Sequence, residues 1–208
     1  MTTQNAGAAY QQDTSVKKSK ASKASADGGS SNGALLGAAA AGLAVGLAAN
    51  LGRKAVVQGV SAASGSWDQA LANEHAMVLK IFGALEATED KQKVKRSTLL
   101  MSMKHALTKH AVQEENVIYP ALRDAGYKEA ADQLNHEHGY VKDFLYHLEN
   151  MPKDSPEFLP TVRRFRAEIE HHVREEEDDL YPKMKAQLDP AMNKKLTLLM
   201  NKEGFKIA

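Results

Sequence analysis

"HAVQEENVIYP" (residues 110–120) and "HHVREEEDDLYP" (residues 171–182) are two versions of one phrase. His110, Glu114, Glu115, Tyr119 and Pro120 recur as His172, Glu176, Glu177, Tyr181 and Pro182, each 62 positions later. Residues four apart are separated by about 400° of helix, so His110 and Glu114 share a face, as do His172 and Glu176. The duplication extends outward. "NEHAMVLKIFGALE" (residues 73–86) aligns with "HEHGYVKDFLYHLE" (residues 136–149) at a shift of 63, so a first helix pair reads as a copy of a second.

Apolar spacing supports four helices. Leu71, His75, Val78, Phe82 and Leu85 step by four and three, which keeps one face turned inward. The same stepping holds Met103, Leu107, His110, Glu114 and Val117, then Leu134, His138, Val141, Leu145 and Leu148, then Val162, Phe165, Ile169, His172, Glu176 and Leu180. Breaks fall at "EATEDKQ", "RDAGYKE" and "NMPKDSPE", the last predicting Ser155 as N-cap with Pro156 in the first helical position. Asp189 and Pro190 repeat that signal ahead of a short C-terminal helix over residues 189–208. With no strand-like alternation after residue 66, the expected fold is all-α. It is an up-and-down antiparallel four-helix bundle over residues 67–188, carrying an internal helix-pair duplication.

Each helix places a histidine inside its apolar stripe. Of eight histidines, only His75 with His138 and His110 with His172 map onto one another. His105 falls opposite Ala167, His136 opposite Asn73, His147 opposite Ala84 and His171 opposite Lys109. Four imidazoles and two carboxylates buried at one level would cost several kcal/mol per unpaired ion, ~3–5 when one partner is missing, so a cluster of this kind needs a reason to persist: a metal centre is the expectation, and a buried His/Glu hydrogen-bond network is the alternative. The expected ligands are His75, His110, Glu114, His138, His172 and Glu176. Glu115 and Glu177 lie one residue off the seam and read as solvated or as supports for the ligands. Tyr119 and Tyr181 read either as caps over the site or, as is usual for an aromatic ahead of a helix-ending proline, as packing residues.

Cysteine is absent, which excludes disulfides, zinc–thiolate sites and iron–sulfur clusters. Imidazole and carboxylate without thiolate suit iron and leave zinc, manganese or nickel open. Two carboxylates related by a pseudo-twofold suit two bridged ions. Four histidines, two bridging glutamates and an oxo or hydroxo bridge fall about two bonds short of two six-coordinate irons, leaving room for O2 or peroxide.

These residues resemble the hemerythrin family, in its bacterial HHE cation-binding branch. His75 stands alone on the first helix, with "HAVQE" on the second, "EH" on the third and "HVREE" on the fourth. The resemblance implies a non-haem di-iron site that binds O2 reversibly or senses oxygen, redox state or iron. Two departures stand out. Oxygen-carrying hemerythrins have a second histidine one turn away on the third helix, where this chain has Leu134 and Lys142, with His136 the nearest substitute. They also use an acid five residues after the fourth-helix histidine, here Glu177, whereas the duplication selects Glu176. A di-iron oxidase, peroxidase or iron-handling protein is the alternative reading, and an interaction module with a structural metal is the third.

The N-terminal third is different in kind. Residues 1–32 are polar and rich in Ser, Lys, Ala and Gly, and the expectation is a disordered tail. Residues 33–66 contain "GALLGAAAAGLAVGLAANLG" (residues 33–52), uncharged and long enough to span a membrane, but dominated by Ala and Gly. Arg53 and Lys54 on one side and Lys17, Lys18, Lys20 and Lys23 on the other conflict as orientation signals. Membrane contact through Gly33–Gly52 is therefore not favoured, and the expectation is a cytoplasmic protein. The net charge of +1 gives no reason to expect a nucleic-acid partner. O2 or a related small molecule is the expected ligand, and the sequence leaves the oligomeric state open.

Overall fold

A proline that cannot donate its backbone hydrogen bond follows each repeated tyrosine, and the helices accommodate it in the same way twice. The computed structural model describes residues 65–207, all of whose regular elements are helical. In chain order they are α1 (Trp67–Glu86), α2 (Lys93–Gln113), π1 (Glu114–Ile118), α3 (Tyr119–Asp124), α4 (Lys128–Asn150), α5 (Phe158–Glu175), π2 (Glu176–Leu180), α6 (Tyr181–Gln187) and α7 (Pro190–Ile207). The N–H of Tyr119 bonds to the carbonyl of Glu114, and that of Tyr181 to the carbonyl of Glu176, each a reach of five residues. An α-helical turn would drive the ring of Pro120 into the carbonyl four residues back, and the wider π-turn relieves that conflict. Both π-turns begin at the glutamate of the quoted phrase.

The helices pack in a closed circuit: α1 against α2 and α5, and α4 against α5 and α2. Two apolar clusters result. One contains Trp67, Leu71, Val117, Leu134, Leu180 and Met184, and the other contains Val78, Phe82, Leu107, Leu145, Phe165 and Ile169. Along α1 and α4 the chain passes from the first cluster to the second, and along α2 with π1 and α5 with π2 it returns. His75, His110, His138 and His172 stand at the crossing between the clusters on all four paths.

Two local expectations change. Helix α5 starts at Phe158 rather than at Pro156. The Ser155 hydroxyl accepts from the Glu157 N–H at 3.2 Å and its carbonyl accepts from the Phe158 N–H at 3.0 Å, so Ser155 closes a turn ahead of the helix. The last helix is not short: α7 has 18 residues, as many as α5. Asp189 does cap it, accepting from the Met192 N–H at 2.7 Å. Its Leu196 and Met200 join the cluster of Trp67, whose indole N–H donates to Asn193 at 2.9 Å.

Arg96 is fully buried and ties two loops together. Its guanidinium donates to the Thr88 hydroxyl at 2.8 Å, to the Thr88 carbonyl at 3.3 Å and to the Lys153 carbonyl at 2.5 Å, and lies 5.0 Å above the Phe158 ring. No helix among the described residues is long and apolar enough to cross a membrane. The expected tail (1–32) and the apolar segment with its Gly33–Gly52 stretch lie outside the described residues, apart from residues 65 and 66.

Candidate metal centre

The four α-helical stripes bring His75, His110, His138 and His172 to one level, and the π-turns deliver Glu114 and Glu176 between them. All six residues are buried, the two glutamates completely. Each glutamate offers one oxygen to each histidine pair. Glu114 lies 3.0 Å from His110 Nε2 through one oxygen and 3.4 Å from His138 Nε2 through the other. Glu176 lies 3.4 Å from His75 Nε2 and 3.4 Å from His172 Nε2 in the same manner. The donors fall into two overlapping groups: His75, His110, Glu114 and Glu176, and then Glu114, His138 and His172.

The remaining imidazole nitrogens all face carboxylates. His75 Nδ1 meets Glu177 at 2.7 Å, His138 Nδ1 meets Glu115 at 2.9 Å, His172 Nδ1 meets Glu137 at 2.9 Å and His110 Nδ1 meets Glu74 at 3.3 Å. A carboxylate behind each imidazole holds its ring orientation and raises its basicity toward whatever its Nε2 binds. Glu115 and Glu177 are thus supports rather than solvated residues. Glu74 and Glu137 were missed in the sequence, although they are duplicates at the 63-residue shift and each directly precedes an expected ligand.

The tyrosines also belong to the site. Tyr119 donates its hydroxyl to Glu176 at 2.8 Å and to Glu114 at 3.3 Å, with His138 Nε2 3.1 Å away. Tyr181 donates to Glu114 by a short bond. Packing alone is therefore too small a role for them, and their shared 62-residue shift was the available signal. His136, His147 and His171 are exposed and His105 is half-buried, and none joins the converging donors. His136 pairs with Tyr140 at 3.2 Å and does not substitute for a missing ligand. Leu134 is core, and Lys142 is exposed and approaches Glu115 at 3.3 Å.

Burial pushes the His110 imidazole down, but the charge of Glu114 and the carboxylate of Glu74 outweigh it and lift its pKa to about 10. Burial likewise opposes His172, which Glu176 and Glu137 raise to about 9. Burial and the neighbouring His110 work against His75, yet Glu176 and Glu177 raise it. Burial raises the Glu114 carboxyl, but His110 and His138 hold it well below the usual carboxylate range. Burial, then the charges of Glu114 and Glu176, push both phenols well above 10.

One observation tests whether these residues fit a metal. One carboxylate oxygen of Glu176 is buried without a hydrogen bond, and it faces His75 Nε2, which itself lies 2.8 Å from His110 Nε2. Two imidazole nitrogens and an orphaned oxygen directed at one another are the donor set a divalent cation satisfies and a proton network leaves short.

Among the described residues, fold and site define a helical domain with a buried histidine–carboxylate centre able to hold metal. The hemerythrin HHE cation-binding domain model matches residues 68–184, more than half of the chain, and the chain belongs to that family. A hemerythrin-like protein of Schizosaccharomyces pombe is 34% identical over 86 residues, covering 39% of this chain and 42% of the relative. A DNA nickase of Nostoc is 28% identical over 134 residues, covering 64% of this chain and 38% of the relative. The chain thus spans about two fifths of the length of these relatives. No solved structure matches it.

Proposed function

We propose that the described helices form an up-and-down four-helix bundle around two iron ions bridged by Glu114 and Glu176, and that this centre binds O2 or senses oxygen, redox state or iron. The observation that carries the reading is the division of each glutamate's two oxygens between the two histidine pairs. His75 and His110 would hold one ion and His138 and His172 the other. Iron would supply the electrons and the open positions for a small ligand.

The surroundings favour a ligand of diatomic size. A cavity of about 20 Å³ is lined by the four histidines together with Val78, Leu107, Ala111, Val141 and Ile169. That is room for about one water-sized molecule, and the non-histidine walls are apolar. The void lies toward the Phe82 cluster, whereas both tyrosines belong to the Trp67 cluster, so the phenols support the bridging carboxylates from the opposite side. That void is small for an organic substrate and supports binding or sensing over an oxidase, while clefts of about 200 Å³ adjoin it at His138 and His172. Peroxidase chemistry is the second reading, favoured by the lack of a histidine one turn from His138, where Leu134 and Lys142 stand.

Iron-loaded protein, reduced under argon and then exposed to O2, should develop a visible absorption band that disappears on deoxygenation. Irreversible bleaching without such a band contradicts O2 binding, and sustained peroxide consumption with a reductant favours the peroxidase. We carry no nucleic-acid activity over from the nickase. The match covers 38% of that protein, and a net charge of +1 supplies no strong attraction for phosphates.

A further inference from the structure

The duplication is nearly perfect around the centre and fails behind one ligand. Glu74 and Glu137 occupy equivalent positions, yet Glu74 is buried and bound to the ammonium of Lys109, itself buried. The Gln113 amide, turned with its nitrogen inward, adds a second donor to Glu74 at 2.8 Å. In the other half, Lys109 corresponds to His171, which is exposed, and Glu137 is half-buried with Gln133 donating at 2.9 Å. Lys142 does approach Glu115 at 3.3 Å in that half, but it is solvent-exposed and water screens it.

We propose that Lys109 makes the two halves of the centre unequal, so that a first metal ion settles between His138 and His172 and a second, weaker one between His75 and His110. The inference rests on the two-ion reading above. A carboxylate behind a ligating histidine strengthens it by accepting its Nδ1 proton. Glu137 gives that support to His172 while accepting from the neutral Gln133 amide rather than from a buried cation. Glu74 shares its charge with a cation in a low-dielectric setting and meets His110 at 3.3 Å against 2.9 Å for Glu137 and His172, so its support of the ligand is the weaker. The ammonium also adds a fixed positive charge behind the His110 side of the centre. Lys109 is a positioning residue acting through Glu74, and its consequence is stepwise loading, with a form holding one ion in the second half of the repeat.

Titration of metal-free protein with Co2+, followed by calorimetry and visible absorption, tests this. Two steps are expected, with dissociation constants about tenfold or more apart. Lys109→Met should tighten the weaker step and close the gap, while Lys109→Arg, which keeps the charge, should preserve it. Glu137→Gln, at a half-exposed position, should weaken the first step instead. Equal steps in the unaltered protein, or a gap untouched by Lys109→Met, would overturn the proposal. If Lys109→Met does not fold, Glu137→Gln decides: a gap that it leaves unchanged contradicts the assignment. Binding of a single ion by the unaltered protein would contradict the two-ion reading rather than this one.

Discussion

Tyr119 donates its hydroxyl to Glu176 at 2.8 Å, and Tyr181 donates its own to Glu114, so each tyrosine serves the glutamate of the opposite half of the repeat. The outer glutamates of the π-turns cross over too: Glu115 supports His138 and Glu177 supports His75. The two halves are thereby locked around the centre by groups that lie on or directly after a π-turn.

Loss of either phenol should weaken the fold without emptying the site. Hydrogen bonds to charged groups contribute about 1.5–3 kcal/mol. Tyr119→Phe and Tyr181→Phe are each expected to lower the urea midpoint of metal-free protein accordingly while iron content stays unchanged. Iron loss in both variants would make the phenols ligands rather than supports.

How much of this was legible in the sequence depends on which physical signal each residue carried. Helix ends were readable because "EATEDKQ" and "RDAGYKE" interrupt the apolar period, and Asp189 with Pro190 is a cap that holds. Ser155 carries the same local signal but commits its oxygens to a turn ahead of the buried Phe158. The repeat selected the six residues that converge, since it rejected His105, His136, His147 and His171 by their unlike partners. The π-turns left no trace in a 3.6-residue template, although the paired Tyr-Pro marked their ends. The buried Arg96 and Lys109 were invisible because hydrophobic periodicity assigns long cations to the surface.

Metal uptake should release protons. The metal-free imidazoles of His110 and His172 titrate near 10 and 9, so at pH 7 both are protonated, and ligation requires them neutral. Metal affinity should therefore rise as pH increases toward 9, measured as proton release in weakly buffered solution. A pH-independent affinity would contradict the assignment of these histidines as ligands.

The stability of the metal-free domain should show the opposite trend. A histidine raised from 6.5 stabilises fully below 6.5 and loses that contribution as pH climbs through 9 to 10. His110 and Lys109 hold Glu74 at about 2 against the effect of burial, so its contribution is present above 4.5 and vanishes as pH falls through 2. Chemical denaturation of metal-free protein should therefore find its maximum stability between about pH 4.5 and 6.5.

Arg96 separates folding from function. Arg96→Met leaves the Thr88 hydroxyl and the Thr88 and Lys153 carbonyls without their donor, at a cost of about 3 kcal/mol. The melting temperature should fall clearly while iron per folded chain is unchanged.

The bridging role of the glutamates is the central claim, and iron per chain measured after expression in iron-replete medium tests it most directly. The unaltered protein, His105→Ala and His147→Ala should each hold close to two irons, and Glu114→Ala and Glu176→Ala should each lose the paired centre. Iron near zero in the unaltered protein, or equal loss in all four variants, would contradict the account.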